Sequence, residues 1–221
     1  MQLPSALRFS IIMAMDWEEI IPIITALLFT VGLPIALLAR RKRGPKPAQD
    51  FLLHLQGIGV KARALEEGDE PDAIQPKRSW GEKLDTLAKI EGSNIDYVAI
   101  TSTSSQYGTN LYINYLVRET GAPGRPDRKK TKMVRRKSPP IWGKVVDIEW
   151  KGDPHLSQRL NFDYSLKYKL LNEGLPTLKG DIQIIPEHKA GHTKIKTNFE
   201  LPSPELFQCL DIIAKHVKSW T

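Results

Sequence analysis

The amino-acid sequence predicts an α+β domain with a mostly antiparallel sheet of about six strands, preceded by one N-terminal transmembrane helix. Three observations support this prediction: an uncharged apolar run at residues 20–38, several segments in which apolar and polar residues alternate, and a C-terminal segment with apolar residues at helical spacing. We expect one helix before the sheet and the long C-terminal helix to pack on the sheet.

Composition limits the kinds of protein that this chain can be. Its 221 residues leave room for one membrane anchor and one globular domain. A single cysteine, Cys209, excludes an internal disulfide and a zinc site built from cysteines. The sequence also lacks the glycine-rich motifs of dinucleotide-binding and nucleoside-triphosphate-binding proteins, and the GxSxG motif of many hydrolases.

The run at residues 20–38 reads IIPIITALLFTVGLPIALL and is long enough to cross a bilayer. Its nineteen residues would form a helix of about 28 Å, close to the ~30 Å hydrocarbon core. A cleaved signal peptide and a buried core helix are the alternatives. A signal peptide is shorter and does not end in a cluster of cations, and a core helix of this length usually has a polar face.

Four cations that follow the run predict its orientation: Arg40, Arg41, Lys42 and Arg43. By the positive-inside rule, they face the cytoplasm. We therefore expect a short extracytoplasmic N-terminus at residues 1–19, the span at 20–38, a basic juxtamembrane linker at 39–50 and a cytosolic α+β domain at 51–221. The predicted location is the cell membrane, with a single span and a cytoplasmic C-terminal domain.

Periodicity places the elements of that domain. A short helix is expected at residues 51–57, a strand within 60–67, and an amphipathic helix at 79–92, where Trp80, Leu84, Leu87 and Ile90 recur at intervals of three and four. Six strands follow, at residues 95–103, 110–119, 141–150, 159–171, 179–187 and 193–201. The fourth shows the clearest alternation, because every second residue from Leu160 to Leu170 is apolar.

The C-terminal segment predicts a helix that starts after Ser203, with Pro204 in the first helical position. Its apolar stripe comprises Phe207, Leu210, Ile213 or Ala214, and Val217. The order of elements over residues 57–219 resembles the helix-grip arrangement, in which a curved sheet wraps a long C-terminal helix. That resemblance implies a cavity for an apolar ligand, lined by Phe162, Tyr164, Leu166, Phe207 and Leu210.

A basic segment at residues 122–138 is expected to form an exposed flexible loop between two strands. A solvated connector, a contact with anionic lipid, and a contact with an acidic protein or nucleic acid are the open interpretations. Nucleic acid is disfavoured, because no aromatic residue accompanies the cations. The cations of the segment are Arg125, Arg128, Lys129, Lys130, Lys132, Arg135, Arg136 and Lys137.

Three polar patterns could be read as a metal-binding or catalytic site, but each is also explained by ordinary local structure. His188 and His192 are four residues apart, but Pro186 and Gly191 predict a hairpin turn there. GDPHLSQ, at residues 152–158, is expected to be a polar hairpin loop, and Cys209 a packed thiol. We therefore assign no catalytic, metal-binding or cofactor-binding residue from the sequence.

The function predicted from the sequence is a single-pass membrane protein whose cytosolic domain binds or scaffolds and has no chemistry of its own. Its basic residues would contact anionic lipid, and a protein partner is compatible with the same domain. Binding of a lipid or another apolar ligand in the helix-grip cavity is the alternative. A hydrolase-type enzyme ranks lowest, since the sequence contains no recognisable catalytic set.

Overall fold

The computed structural model describes Ile21 and residues 46–65, 82–106, 108–118, 128–139, 143–176, 178–187 and 190–220. The chain divides into two compact units, residues 1–46 and 47–221, and the fold below is that of the second unit. The predicted N-terminus, most of the predicted span and the cations Arg40–Arg43 lie outside the described residues. Within the described ranges, no helix combines the length and the apolar character that a membrane crossing requires.

The described elements comprise eight strands, four α-helices and one short π-helix. They are helix α1 (Lys46–Gly57), strands β1 (Lys61–Ala64), β2 (Glu82–Glu91), β3 (Tyr97–Ser105), β4 (Gly108–Arg118), β5 (Thr131–Ser138) and β6 (Lys144–Lys151), helices α2 (Pro154–Phe162) and α3 (Tyr164–Lys169), the π-helix Leu170–Gly174, strands β7 (Gln183–Glu187) and β8 (His192–Asn198), and helix α4 (Pro204–Lys218).

All eight strands form one antiparallel sheet in the order β1-β2-β3-β4-β8-β7-β5-β6. Strands β1 to β4 form a consecutive meander, whereas the β5–β6 hairpin joins the far end of the sheet through β7. The predicted α+β class with an antiparallel sheet is therefore confirmed, with eight strands where about six were expected. The predicted hairpin near His192 is also confirmed, because Glu187 pairs with His192 at the turn between β7 and β8.

Helix α4 follows the prediction closely. The Oγ atom of Ser203 accepts a hydrogen bond from the backbone N–H of Leu206 at 3.1 Å, as expected of an N-cap. The predicted apolar stripe is buried. At its centre, the rings of Phe207 on α4 and Tyr115 on β4 meet edge to face with centroids 6.4 Å apart. The main core thus lies between α4 and the sheet.

The helix predicted at residues 79–92 is wrong, because residues 82–91 form strand β2. A bulge between Leu84 and Thr86 places Leu84 and Leu87 on the same sheet face although they are three residues apart. Ile90 packs on the opposite face, in the main core, while Leu87 belongs to a second cluster with Tyr97. Because of the bulge and the burial on both sheet faces, Leu84, Leu87 and Ile90 recur every three residues, as apolar residues do on a helix.

The strand predicted at residues 159–171 is also wrong, because this segment forms the end of α2, all of α3 and the start of the π-helix. The polar hairpin loop predicted at residues 152–158 is instead the start of α2. Asp153 caps that helix by accepting hydrogen bonds from the N–H groups of His155 and Leu156, and Pro154 takes the first position. Two helices therefore interrupt the strands, so the element order differs from the helix-grip arrangement.

Candidate functional site

Three aromatic side chains are exposed next to one another on α2 and α3. Phe162 is 63% exposed, Tyr164 71% and Tyr168 66%. Tyr168 lies one helical turn after Tyr164, on the same face of α3. Single exposed apolar residues are common, whereas a group of neighbouring exposed rings is typical of an interaction surface.

Phe162 and Tyr164 line one cleft of about 520 Å³, which we call the aromatic cleft. Its lining consists of Gln158, Arg159, Phe162, Asp163, Tyr164 and His216. The cleft thus combines two rings, a carboxylate, a guanidinium and an imidazole. Four of its residues, Arg159, Phe162, Asp163 and Tyr164, belong to the segment 159–171 that the sequence predicted to be a strand.

Helical geometry explains why these rings point outward. Leu156 and Leu160 are four residues apart on α2 and are buried, as are Leu166 and Leu170, also four apart. These leucines fix the inner face of both helices, and the residues between them take the outer face. Strand-like alternation would have placed all the aromatic residues and leucines from Leu160 to Leu170 on one side.

Asp163 separates the two helices and organises the cleft. Its Oδ1 atom accepts a hydrogen bond from the backbone N–H of Leu166 at 2.9 Å, which caps α3. Its Oδ2 atom lies 2.8 Å from Nε2 of His216 on α4. Since an ionised carboxylate only accepts hydrogen bonds, Nε2 of His216 carries the donated proton.

These contacts keep Asp163 ionised. Partial burial acts to raise the pKa of Asp163, but the hydrogen bonds from His216 and from the backbone at Leu166 and Ser165 outweigh it, so the pKa lies below its ordinary value. The cleft is therefore lined by a negatively charged carboxylate, which belongs to the residue between Phe162 and Tyr164 in the sequence.

Arg159 places a positive charge at the same cleft. Its guanidinium donates from Nη1 to the backbone oxygen of Ser219 and from Nη2 to Oγ of Ser219, both at 2.6 Å. These bonds hold the guanidinium against the end of α4, so it occupies a defined position beside His216. A guanidinium has five N–H donors, and this arrangement engages two of them.

The basic segment is more ordered than predicted. Residues 131–138 form strand β5, not a loop, and Arg125 lies outside the described residues. Arg128 stacks on the ring of Trp220 with 4.8 Å between Cζ and the ring centroid, and it donates to the Trp220 carbonyl. Arg135 donates to the carbonyls of Leu178 and Gly180. These two arginines stabilise the fold.

The remaining cations of this segment divide into paired and unpaired groups. Lys132 lies 3.0 Å from Asp181, and Arg136 lies 2.6 Å from Glu149, a contact that raises the pKa of the arginine. Lys129, Lys130 and Lys137 are exposed, and they form no ion pair with any described residue. These three are the cations available to an anionic surface.

The five residues predicted to line an apolar cavity lie in two different environments. Leu166, Phe207 and Leu210 are buried in the main core, at 0%, 7% and 0% exposure, whereas Phe162 and Tyr164 are at the surface. They therefore do not line one cavity. The physical reason is the helical conformation of residues 154–169, which turns the two aromatic rings away from the leucines of the core.

A polar cluster on the sheet face opposite α4 was not anticipated from the sequence. Thr101 donates to Oε1 of Glu82 and accepts from Nδ2 of Asn114, each at 2.8 Å. Nζ of Lys196 lies 4.0 Å from Oε1 of Glu82 and 3.7 Å from the ring centroid of Tyr112. Burial lowers the pKa of Lys196, although Glu82 opposes that effect. The cluster joins strands β2, β3, β4 and β8.

The structure also shows the surroundings of Cys209 and His192, two residues that belong to the polar patterns of the sequence. Cys209 is confirmed as a packed thiol, and burial raises its pKa to about 11. His192 is buried, with Nδ1 3.1 Å from the Ala190 carbonyl oxygen. In the part of the chain that the structure describes, no three His, Cys, Asp or Glu side chains are grouped to hold a metal ion.

The sequence matches no protein-family model, and the comparisons with curated proteins and with solved structures found no match. A functional proposal for this chain therefore depends on its own fold and on the aromatic cleft.

Proposed function

We propose that this chain is a single-pass membrane protein whose cytosolic α+β domain is a binding module, with the aromatic cleft as its binding surface. The observation that supports this proposal is the exposure of Phe162, Tyr164 and Tyr168, each more than three-fifths exposed, the first two of which line one cleft. Full burial of one large apolar side chain contributes about 1.5–3 kcal/mol, so a partner that covers these rings would gain substantially.

The polar groups of the cleft suit recognition because the protein already holds them in place. Asp163 is fixed by Leu166 and His216, and Arg159 is fixed by Ser219. Groups ordered before binding lose little conformational entropy when a partner arrives.

Membrane attachment is supported by the sequence at residues 20–38 and by the distribution of positive charge. The cluster Arg40–Arg43 follows the apolar run, and Lys129, Lys130 and Lys137 are exposed on the domain. Each basic residue near an anionic lipid surface contributes about 1 kcal/mol. The four juxtamembrane cations and the three lysines would therefore favour contact between this domain and the inner leaflet.

Fractionation of cells that express the full chain tests the anchor. We expect the chain to remain in the membrane pellet after alkaline carbonate extraction, and a variant without residues 20–38 to appear in the supernatant. Release of the intact chain by carbonate would contradict the predicted span. Protease treatment of sealed inverted vesicles should degrade the C-terminal domain, and protection of that domain would contradict the orientation.

Site-specific crosslinking tests the binding surface. The photoreactive residue p-benzoylphenylalanine replaces Tyr168 in the full chain, and a matched variant carries it at Leu201, which is 43% exposed and lies just before α4, at the end of that helix opposite to His216. We expect irradiation of cells to give a discrete adduct at position 168 and none at position 201. Equal labelling at both positions, or none at position 168, would remove the aromatic cleft as the binding surface.

A further inference from the structure

We propose that the aromatic cleft binds the zwitterionic headgroup of a phospholipid in the bilayer, one that carries a phosphate and an ammonium group. This inference rests on the proposed membrane-anchored binding function and names the ligand of that same cleft. The supporting observation is that a guanidinium, a carboxylate and two exposed aromatic rings line the same cleft. The ammonium group and the phosphate group of the ligand each have separate partners among these side chains.

The ammonium half is matched by Phe162, Asp163 and Tyr164. A cation is attracted to the face of an aromatic ring within about 6 Å of the centroid, and it is attracted further by a nearby carboxylate. The sequence places the carboxylate directly between the two aromatic residues, and both rings line the same cleft. The low pKa of Asp163 keeps the negative charge in place at neutral pH.

The phosphate half is matched by Arg159, with Gln158 on the same cleft. The two bonds to Ser219 leave three guanidinium N–H donors of Arg159 for a ligand oxygen. Arginine is well suited to phosphate because its fork of donors matches two oxygens at once. The Gln158 amide supplies a neutral donor next to it. Phosphate and ammonium therefore meet complementary groups within one cleft.

A bilayer is favoured over a free solute by what surrounds the cleft. Tyr168 extends the aromatic surface beyond the cleft lining, and tyrosine rings partition to the membrane interface. The predicted span ends at residue 38 and helix α1 begins at Lys46. Seven intervening residues reach at most about 25 Å when extended, so the chain itself would keep the domain near the headgroups.

The test uses the full chain reconstituted in vesicles that mix phosphatidylcholine with digalactosyldiacylglycerol, a neutral lipid that has neither a phosphate nor an ammonium group and that the basic residues of the domain do not attract. With p-benzoylphenylalanine in place of Tyr168, mass spectrometry identifies the lipid in each photoadduct. We expect phosphatidylcholine adducts to exceed their share of the mixture by about threefold. We expect Asp163→Asn to abolish the preference, and Tyr164→Leu, which keeps the apolar area but removes the ring, to do the same. Leu201→Ala is the matched control and should keep it.

Several results would overturn the inference, and they differ in what they say of the proposed function. Adducts in proportion to the lipid mixture would exclude headgroup recognition. A protein adduct in cells without a lipid adduct would leave the binding module intact and replace its ligand. Absence of any adduct at position 168 would exclude both headgroup recognition and a binding function of the aromatic cleft. Binding of free phosphocholine by the full chain, seen by saturation-transfer NMR without any lipid preference, would assign the cleft to a solute. Thermal unfolding of each variant confirms that it is folded.

Discussion

Nε2 of His216 lies 2.8 Å from Oδ2 of Asp163, and this contact joins the last turns of helix α4 to the start of helix α3. The first prediction concerns this pair. Asp163→Asn keeps a side-chain acceptor for the N–H of Leu166 but removes the charge opposite His216. We expect a loss of roughly 1 kcal/mol in the free energy of unfolding at pH 7, measured by urea denaturation.

The same pair predicts a pH dependence whose sign follows from Asp163. Its pKa is lower in the folded chain than in the unfolded chain, where it is about 3.9. The stabilisation is therefore complete above that value and is lost as pH falls through the folded pKa. The stability difference between wild type and Asp163→Asn should shrink below about pH 4. A difference that stays constant down to pH 3 would contradict this assignment, while Asp147 and Glu149 affect both proteins alike.

The elements that the sequence predicted correctly are those with one unbroken period. Helix α4 carries its buried residues at helical spacing from Leu206 to Val217, and β4 and the β7–β8 hairpin lie where strands were expected. Strand β2 was missed because a bulge changes its phase between Leu84 and Thr86. A prediction from periodicity assumes that side chains alternate between the two sheet faces without interruption. The one extra residue of a bulge reverses that alternation for the rest of the strand.

The aromatic cleft was missed for a different reason. Residues 159–171 alternate because exposed rings fill the positions between buried leucines, so the aromatic residues at the surface disguised the helical period. A signal was present at Asp153 and Pro154, which form an N-cap followed by a first-turn proline. The contact between Asp163 and His216 had no sequence signal, because 53 residues separate them and only the packing of α4 brings them together.

The polar cluster on the sheet provides the second prediction. Thr101 is 4% exposed, donates to Glu82 and accepts from Asn114. Thr101→Val keeps the shape of the side chain but leaves both neighbours without their partner, so we expect a loss of about 1–3 kcal/mol in denaturant unfolding. Thr103→Val is the matched control, two residues along β3 and partly exposed. Equal effects of the two substitutions would show that the cluster does not stabilise the sheet.

The basic segment gives a third prediction, which separates structural cations from exposed ones. Arg128→Ala removes both the stacking on Trp220 and the bond to its carbonyl oxygen, so we expect a loss of about 1–2 kcal/mol in the free energy of unfolding. Lys129→Ala, at the next position, changes an exposed side chain and should alter stability by less than about 0.5 kcal/mol. Chemical denaturation of both variants measures the difference. A large effect at Lys129 would show that the division of the segment into two groups is incorrect.

The last prediction concerns the turn that leads from β6 into α2 and so positions the aromatic cleft. Gly152 has a φ of +139°, and a Cβ atom there would lie 2.7 Å from Cα of Thr131 and overlap the carbonyl of Lys130. Gly152→Ala is therefore both strained and obstructed by backbone, and we expect a loss of at least about 2 kcal/mol. Gly57→Ala is the matched control, because Gly57 ends helix α1, has no positive φ and has open space around it. It should leave the melting temperature unchanged or raise it slightly, since alanine favours the helix. Thermal unfolding should place Gly152→Ala roughly 6 °C or more below Gly57→Ala, and coincident melting curves would mean that the backbone at Gly152 accommodates a side chain without cost.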